Sequence, residues 1–98
     1  MAEEKKQQIQ IEVDDSVAKG VYSNVAIIFH SDNEFIMDFA FVHPPKAKVV
    51  SRIISSPSHA KSFLKALEQN VMQYEKQFGT IKESKGPEET MGLKLSQN

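Results

Sequence analysis

The chain has no cysteine in its 98 residues. Disulfides, thiolate nucleophiles and zinc–thiolate centres are therefore excluded. It has no excess of either charge: twelve Lys and Arg stand against thirteen Asp and Glu, a formal net charge of −1. A dedicated nucleic-acid binder carries a basic surplus, so no nucleic-acid partner is expected. Long apolar runs are missing too. The longest, Val25 to Phe29, falls far short of the roughly 20 residues of a membrane helix, and Met1 to Lys6 contain no apolar stretch of the secretory kind. No membrane association and a cytoplasmic location are expected. The four glycines are scattered, which leaves no glycine-rich loop to cradle a phosphate. What remains is 40% apolar and 26% charged, the balance of a soluble globular protein with room for one small domain.

Both ends are too polar to offset the entropy of ordering them. Residues 1–7 are expected to be a disordered tail, and residues 82–98 a second one whose only apolar points are Met91, Leu93 and Leu95. Between them, residues 8–81 read as a single domain. Ile9, Ile11 and Val13 alternate with Gln8, Gln10 and Glu12, the period of a half-buried strand. Asp14 to Gly20 suggests one capped helical turn before the chain reverses. Alternation then predicts strands over about Val21–His30, Glu34–Val42 and Lys46–Ser55, separated by Ser31-Asp32-Asn33 and His43-Pro44-Pro45. Ser56 as N-cap and Pro57 at the first helical position open a helix that Gly79 closes. Its apolar residues Ala60, Phe63, Leu64, Leu67, Val71, Tyr74 and Phe78 share one narrow face. The expected fold class is α+β, a four-stranded antiparallel meander with one C-terminal helix packed on one face, ββββα.

Matching the faces of neighbouring strands predicts a register. A three-residue turn at Ser31 to Asn33 sets Phe29 opposite Phe35 and Ile27 opposite Met37. A five-residue connection from His43 to Ala47 sets Phe41 opposite Val49 and places Asp38 opposite Arg52, an opposite-charge cross-strand pair. The helix is then expected over the aromatic face, with Leu64, Leu67, Val71 and Tyr74 against Val25, Ile27, Met37 and Phe39. The other face carries Ala26, Ile28, Ile36, Ala40, Val42, Val50 and Ile54 around Asp38 and Arg52. That is too apolar for a solvated face, and a domain this small is marginal on a single core. A homo-oligomer, a two-fold dimer in its simplest form, is expected to bury that face.

No constellation of catalytic residues stands out. His30 with Asp32 and Glu34 offers nitrogen and oxygen donors at a hairpin tip, but the spacing matches no metal motif, and neither a metal nor a cofactor is expected. Asp38 has a simpler account as the partner of Arg52 than as an acid with a perturbed pKa. Tyr22, Ser23 and Asn24 more often complete hydrogen bonds than bind a ligand. The basic residues Lys46, Lys48, Arg52, Lys61 and Lys65 form no dense run.

The residues Gly20, Tyr22, Ser23 and Asn24, His30 and Ser31 with Glu34 and Phe35, and Asp38 with Phe39 belong to a longer ordered string. It continues through Lys46 and Lys48, Ser51 to Ile54, Pro57 with His59, Ala60 and Lys61, and Tyr74 and Glu75 with Phe78 and Gly79. Over roughly residues 9–81 the chain resembles a small prokaryotic family of uncharacterised proteins, domain of unknown function 3467. It departs from the family at His43-Pro44-Pro45, where a glycine often follows the first proline. The resemblance implies no particular reaction, ligand or partner. It does single out Tyr22, Asn24, His30, Glu34, Asp38, Arg52 and His59 as polar candidates for a ligand or interface site. Two functional classes follow: a non-catalytic homo-oligomeric binding or scaffold protein, and a chaperone-like or peptide-binding module that uses an apolar sheet face or edge. An enzyme built on Tyr22, His30, Asp38 and Arg52 stands well behind both.

Overall fold

The computed structural model describes residues 7–83. Apart from Gln7, Lys82 and Glu83, the two expected tails lie outside the described residues. Within them the chain runs α1 (Asp15–Ala18), β1 (Val25–His30), β2 (Phe35–His43), β3 (Lys46–Ser55) and α2 (Pro57–Phe78). The architecture is α+β: an antiparallel sheet of three strands in the order β1-β2-β3, followed by one long helix. The expected fourth strand is corrected. Residues 7–14 have no regular secondary structure, and all are exposed. Alternation at Ile9, Ile11 and Val13 reports a preference for a ladder, but a ladder also needs a neighbouring strand, and residues 7–14 pair with none of the three described strands.

The helical turn between Asp14 and Gly20 forms, but no aspartate side chain caps it, and backbone bonds alone close it. The carbonyl of Asp14 accepts from the N–H groups of Val17 and Ala18, Gly20 N–H donates to the Val17 carbonyl at 2.9 Å, and Gly20 takes a φ of 74°. That left-handed conformation suits glycine above other residues. Helix α2 also matches its signals. Ser56 Oγ accepts the His59 N–H at 3.1 Å, Pro57 stands at the first turn, and Gly79 closes the helix with its N–H on the Glu75 carbonyl.

Both hairpins depart from the expected loop lengths, with opposite results. The β1–β2 loop has four residues, Ser31 to Glu34, because the Ser31 N–H donates to the Glu34 carbonyl while Ser31 Oγ accepts the N–H groups of Asn33 and Glu34. One extra residue slides the register. Phe29 lies opposite Ile36, Ile28 opposite Met37, and Ile27 opposite Asp38. The faces of β1 are thereby exchanged relative to the expected pairing. The β2–β3 loop is only Pro44-Pro45, with His43 paired to Lys46 and Phe41 to Lys48. A bulge between Phe39 and Ala40 then takes up one residue of β3, Val50, and restores Met37 to Ile53 and Asp38 to Arg52, the pairs expected from the sequence.

The exchange of faces moves the core. Val25, Ala40 and Val42 form the buried cluster with Ile27 against it, on the face of β2 that also holds Asp38. The N-terminal half of α2 lies by the other face, near Ile28, Phe35 and Met37. The expected contacts of the helix with Val25 and Ile27 are therefore corrected. Outside the strands no described residue is buried, and α2 has none along its 22 residues.

Candidate functional site

Asp38 is the one buried charged residue among those described, 5% exposed at the centre of β2. The register places Arg52 directly across from it. Arg52 Nε donates to Asp38 Oδ1 at 2.7 Å and Nη2 to Oδ2 at 2.8 Å, the bidentate fork that guanidinium geometry favours. The Arg52 side chain is half-exposed, and its guanidinium carbon lies 6.0 Å from the centre of the Phe29 ring. The hydrogen bond from Arg52 holds the Asp38 carboxyl below its ordinary value of 3.8, against the opposing effect of burial, and the same bond raises Arg52. Both oxygens of the carboxylate are engaged and both bonds run to one partner, so the pair is a structural tie across the sheet.

The pair makes stability depend on pH. A carboxylate with a depressed folded pKa contributes fully above its unfolded value and loses that contribution as pH falls through the folded one. Stability is thus expected to hold steady above about pH 5 and to decline in acid below about pH 4. Asp38→Asn should unfold more readily at neutral pH and show a shallower acid decline. Urea midpoints collected from pH 2 to 7 test this, and parallel pH profiles for the two proteins would remove the pair from the stability of the fold.

The other candidates are dispersed along the sheet and helix. Asn24 closes the open end of β1: its Oδ1 accepts the Val42 N–H at 2.9 Å and its Nδ2 donates to the Val42 carbonyl at 3.0 Å. The side-chain amide thus takes the place of a strand residue opposite Val42. Tyr22 is exposed and meets Phe41 edge to face at 5.7 Å, and His43 stacks on the same Phe41 ring at 6.2 Å. His30 stacks on its cross-strand neighbour Phe35 at 5.3 Å. Glu34 belongs to the hairpin loop, and His59 to the first turn of α2 through its capped N–H. The seven polar residues do not converge on one point. Tyr22, Asn24, Asp38 and Arg52 each have a local structural role, and the same holds for Glu34 and His59 through their backbone N–H groups. Among the described residues no group of three His, Asp or Glu side chains is placed to hold a metal ion, and none of the helices is long and apolar enough to cross a membrane.

The concave surface lies elsewhere. An apolar cleft of about 510 Å³ separates the first half of α2 from the sheet, with Ile28, Phe35 and Met37 on one side and Pro57, Phe63, Leu64 and Leu67 on the other. Lys61 stands at it as the one charged residue. The apolar stripe of α2 signals this surface in the sequence. That it remains an open cleft, rather than closing as a core, follows from the displaced register. The second half of α2 turns a separate shallow surface, Val71, Tyr74 and Phe78 with Ile81, away from the strands.

Comparison with known proteins places the chain in a family. The model of the family described as protein of unknown function (DUF3467) matches residues 1–83, and the chain belongs to that family. No curated protein and no solved structure matches the chain.

Proposed function

We propose that this chain is a non-catalytic binding or scaffold protein that works as a homo-oligomer, in its simplest form a two-fold dimer. The observation that carries this reading is the open stripe of α2. Leu64, Leu67 and Phe78 are each more than half exposed, although their spacing is that of a buried helix face. Burying the area that these three side chains still expose is worth roughly 2–5 kcal/mol, a sizeable share of the stability of a small domain, about 5–15 kcal/mol. A second copy that presents the same stripe satisfies both chains at once. Asp38 and Arg52 are bound to each other, and Tyr22 and His30 pack on Phe41 and Phe35 instead, which supports a role without catalysis.

Light scattering is expected to report twice the chain mass of 11.0 kDa. Leu67→Lys should return the mass to that of one chain. Leu67 is half-exposed within a single chain, so the substitution costs that chain's own fold little, and the effect reads the contact between copies. A single-chain mass for the unmodified protein at high concentration overturns the proposal.

The apolar cleft beneath the first half of α2 favours a second reading, a module that binds extended apolar peptides. An apolar peptide titrated into the labelled protein should then shift the amides of Ile28, Phe35 and Phe63. Unmoved amides at saturating peptide would leave the scaffold reading alone.

A further inference from the structure

We infer that residues Gln8–Val13 supply the fourth strand in trans, pairing with the free edge of β1 in a second copy; this rests on the homo-oligomer reading above.

Three observations meet here. The first is the segment itself. It has the period of a strand and is as long as β1, six residues. Yet Ile9 and Ile11 are 82% and 87% exposed, and residues 7–13 make no hydrogen bond with the rest of the described chain. A segment patterned for a half-buried strand is fully open in the single chain.

The second is the contrast between the two sheet edges. With β2 in the centre, β1 and β3 each leave one edge unpaired. Edges that stay free in solution are blunted by lysines, prolines or bulges. β3 has such devices: Lys46, Lys48 and Arg52 along its length and a bulge at Val50. β1 has none. From Val25 to His30 it has no Lys, Arg, Asp or Glu, no proline, and an unbroken register. An apolar edge of this kind calls for a covering strand.

The third is the phase of the ladder. The bond from Ser31 N–H to the Glu34 carbonyl makes that pair a hydrogen-bonded one. Alternation in an antiparallel ladder then turns the backbone groups of Phe29 and Ile27 toward β2 and those of Ile28 and His30 outward. The outward groups of β1 match the donors and acceptors of an extended segment. Both faces of β1 are apolar, Ala26 and Ile28 on one and Ile27 and Phe29 on the other, so Ile9, Ile11 and Val13 meet apolar neighbours in either register. Within one chain the approach is different. Asn24 and Tyr22 hold the lead-in to β1 against Val42 and Phe41, and α1 and Gly20 stand in the chain between that lead-in and residues 8–13.

Amide exchange and chemical cross-linking test the inference. The Ile28 amide, which points outward, should be protected in the full-length protein. Ile11→Asp should speed its exchange on the order of a hundredfold, with the inward Phe29 amide left protected as a control for folding. The chain has no cysteine, so Ile11→Cys and Ile28→Cys define two single sites. Mixing these two variants and adding a short bismaleimide should give a covalent product of two chains. An unprotected Ile28 amide overturns the inference. So does cross-linking confined to one chain in the doubly substituted protein. If light scattering still reports two copies in those cases, the homo-oligomer reading stands and the strand exchange fails. A single-chain mass removes both.

Discussion

Met37→Ala is expected to lower the unfolding free energy by about 2–5 kcal/mol. Met37 is 6% exposed and sits on the central strand between Ile28 and Ile53. It also lines the cleft together with Phe63 and Leu64 of α2. Truncation removes three heavy atoms at the one point where the strands and the first half of α2 share a buried side chain. The neighbouring helix is held by few other contacts, so partial collapse of the site is expected to bring the loss toward the lower end. Urea unfolding measures it: the midpoint should fall while the slope stays constant. A change below about 0.5 kcal/mol, the range of ordinary surface substitutions, would show that α2 does not rest on the sheet in solution.

Asn24→Ala is expected to cost about 1–3 kcal/mol, because it leaves the N–H and the carbonyl of buried Val42 without partners. The loss falls on the end of β2, so the Val42 amide should exchange faster while that of Phe29 stays slow. Asn24→Asp separates the two bonds. A carboxylate still accepts from the Val42 N–H but has nothing to donate to the Val42 carbonyl, and it sets negative charge against that oxygen. It should therefore be no better tolerated than alanine at neutral pH, despite its near-identical shape. Thermal melts of the three proteins decide this, and an aspartate variant as stable as the unmodified chain would mean that the Nδ2 bond contributes nothing.

The parts of the fold legible in the sequence are those set by local chemistry. Ser56, Pro57 and Gly79 bound α2 because each satisfies or ends a helix terminus by its own covalent structure. Gly20 marks its turn for the same reason. The Asp38–Arg52 pair was legible because two opposite charges in facing apolar strands restrict the register. The β1–β2 register was not. Ser31 can close a three-residue or a four-residue loop, and its side chain selected the longer one by accepting two backbone N–H groups. Since both faces of β1 are apolar, the pattern of the strand imposed no objection. The same ambiguity explains the candidate site. Asn24 carries a polar side chain that serves the backbone, His59 enters only through its backbone N–H, and a list of polar residues does not distinguish those tasks from ligand binding. The cleft was hidden because the stripe of α2 reads as core, and periodicity says which residues share a face without saying what lies opposite.

The bulge at Val50 has a consequence for how this chain tolerates changes in length. The Pro44-Pro45 turn is short by one residue relative to the spacing that Asp38 and Arg52 require, and Val50 is the residue that makes up the difference. The hairpin therefore works as a vernier: turn and bulge can exchange one residue, and the ion pair stays aligned. Deletion of Val50 together with insertion of one residue at Pro44-Pro45 should conserve the pairing of Asp38 with Arg52. Deletion of Val50 alone should also conserve it, because the residues that flank the bulge, Val49 and Ser51, already pair with Ala40 and Phe39. Sequences aligned without gaps across this hairpin would then keep the arginine in place but misplace Lys46 to Val49 by one position wherever the two compensating changes have both occurred.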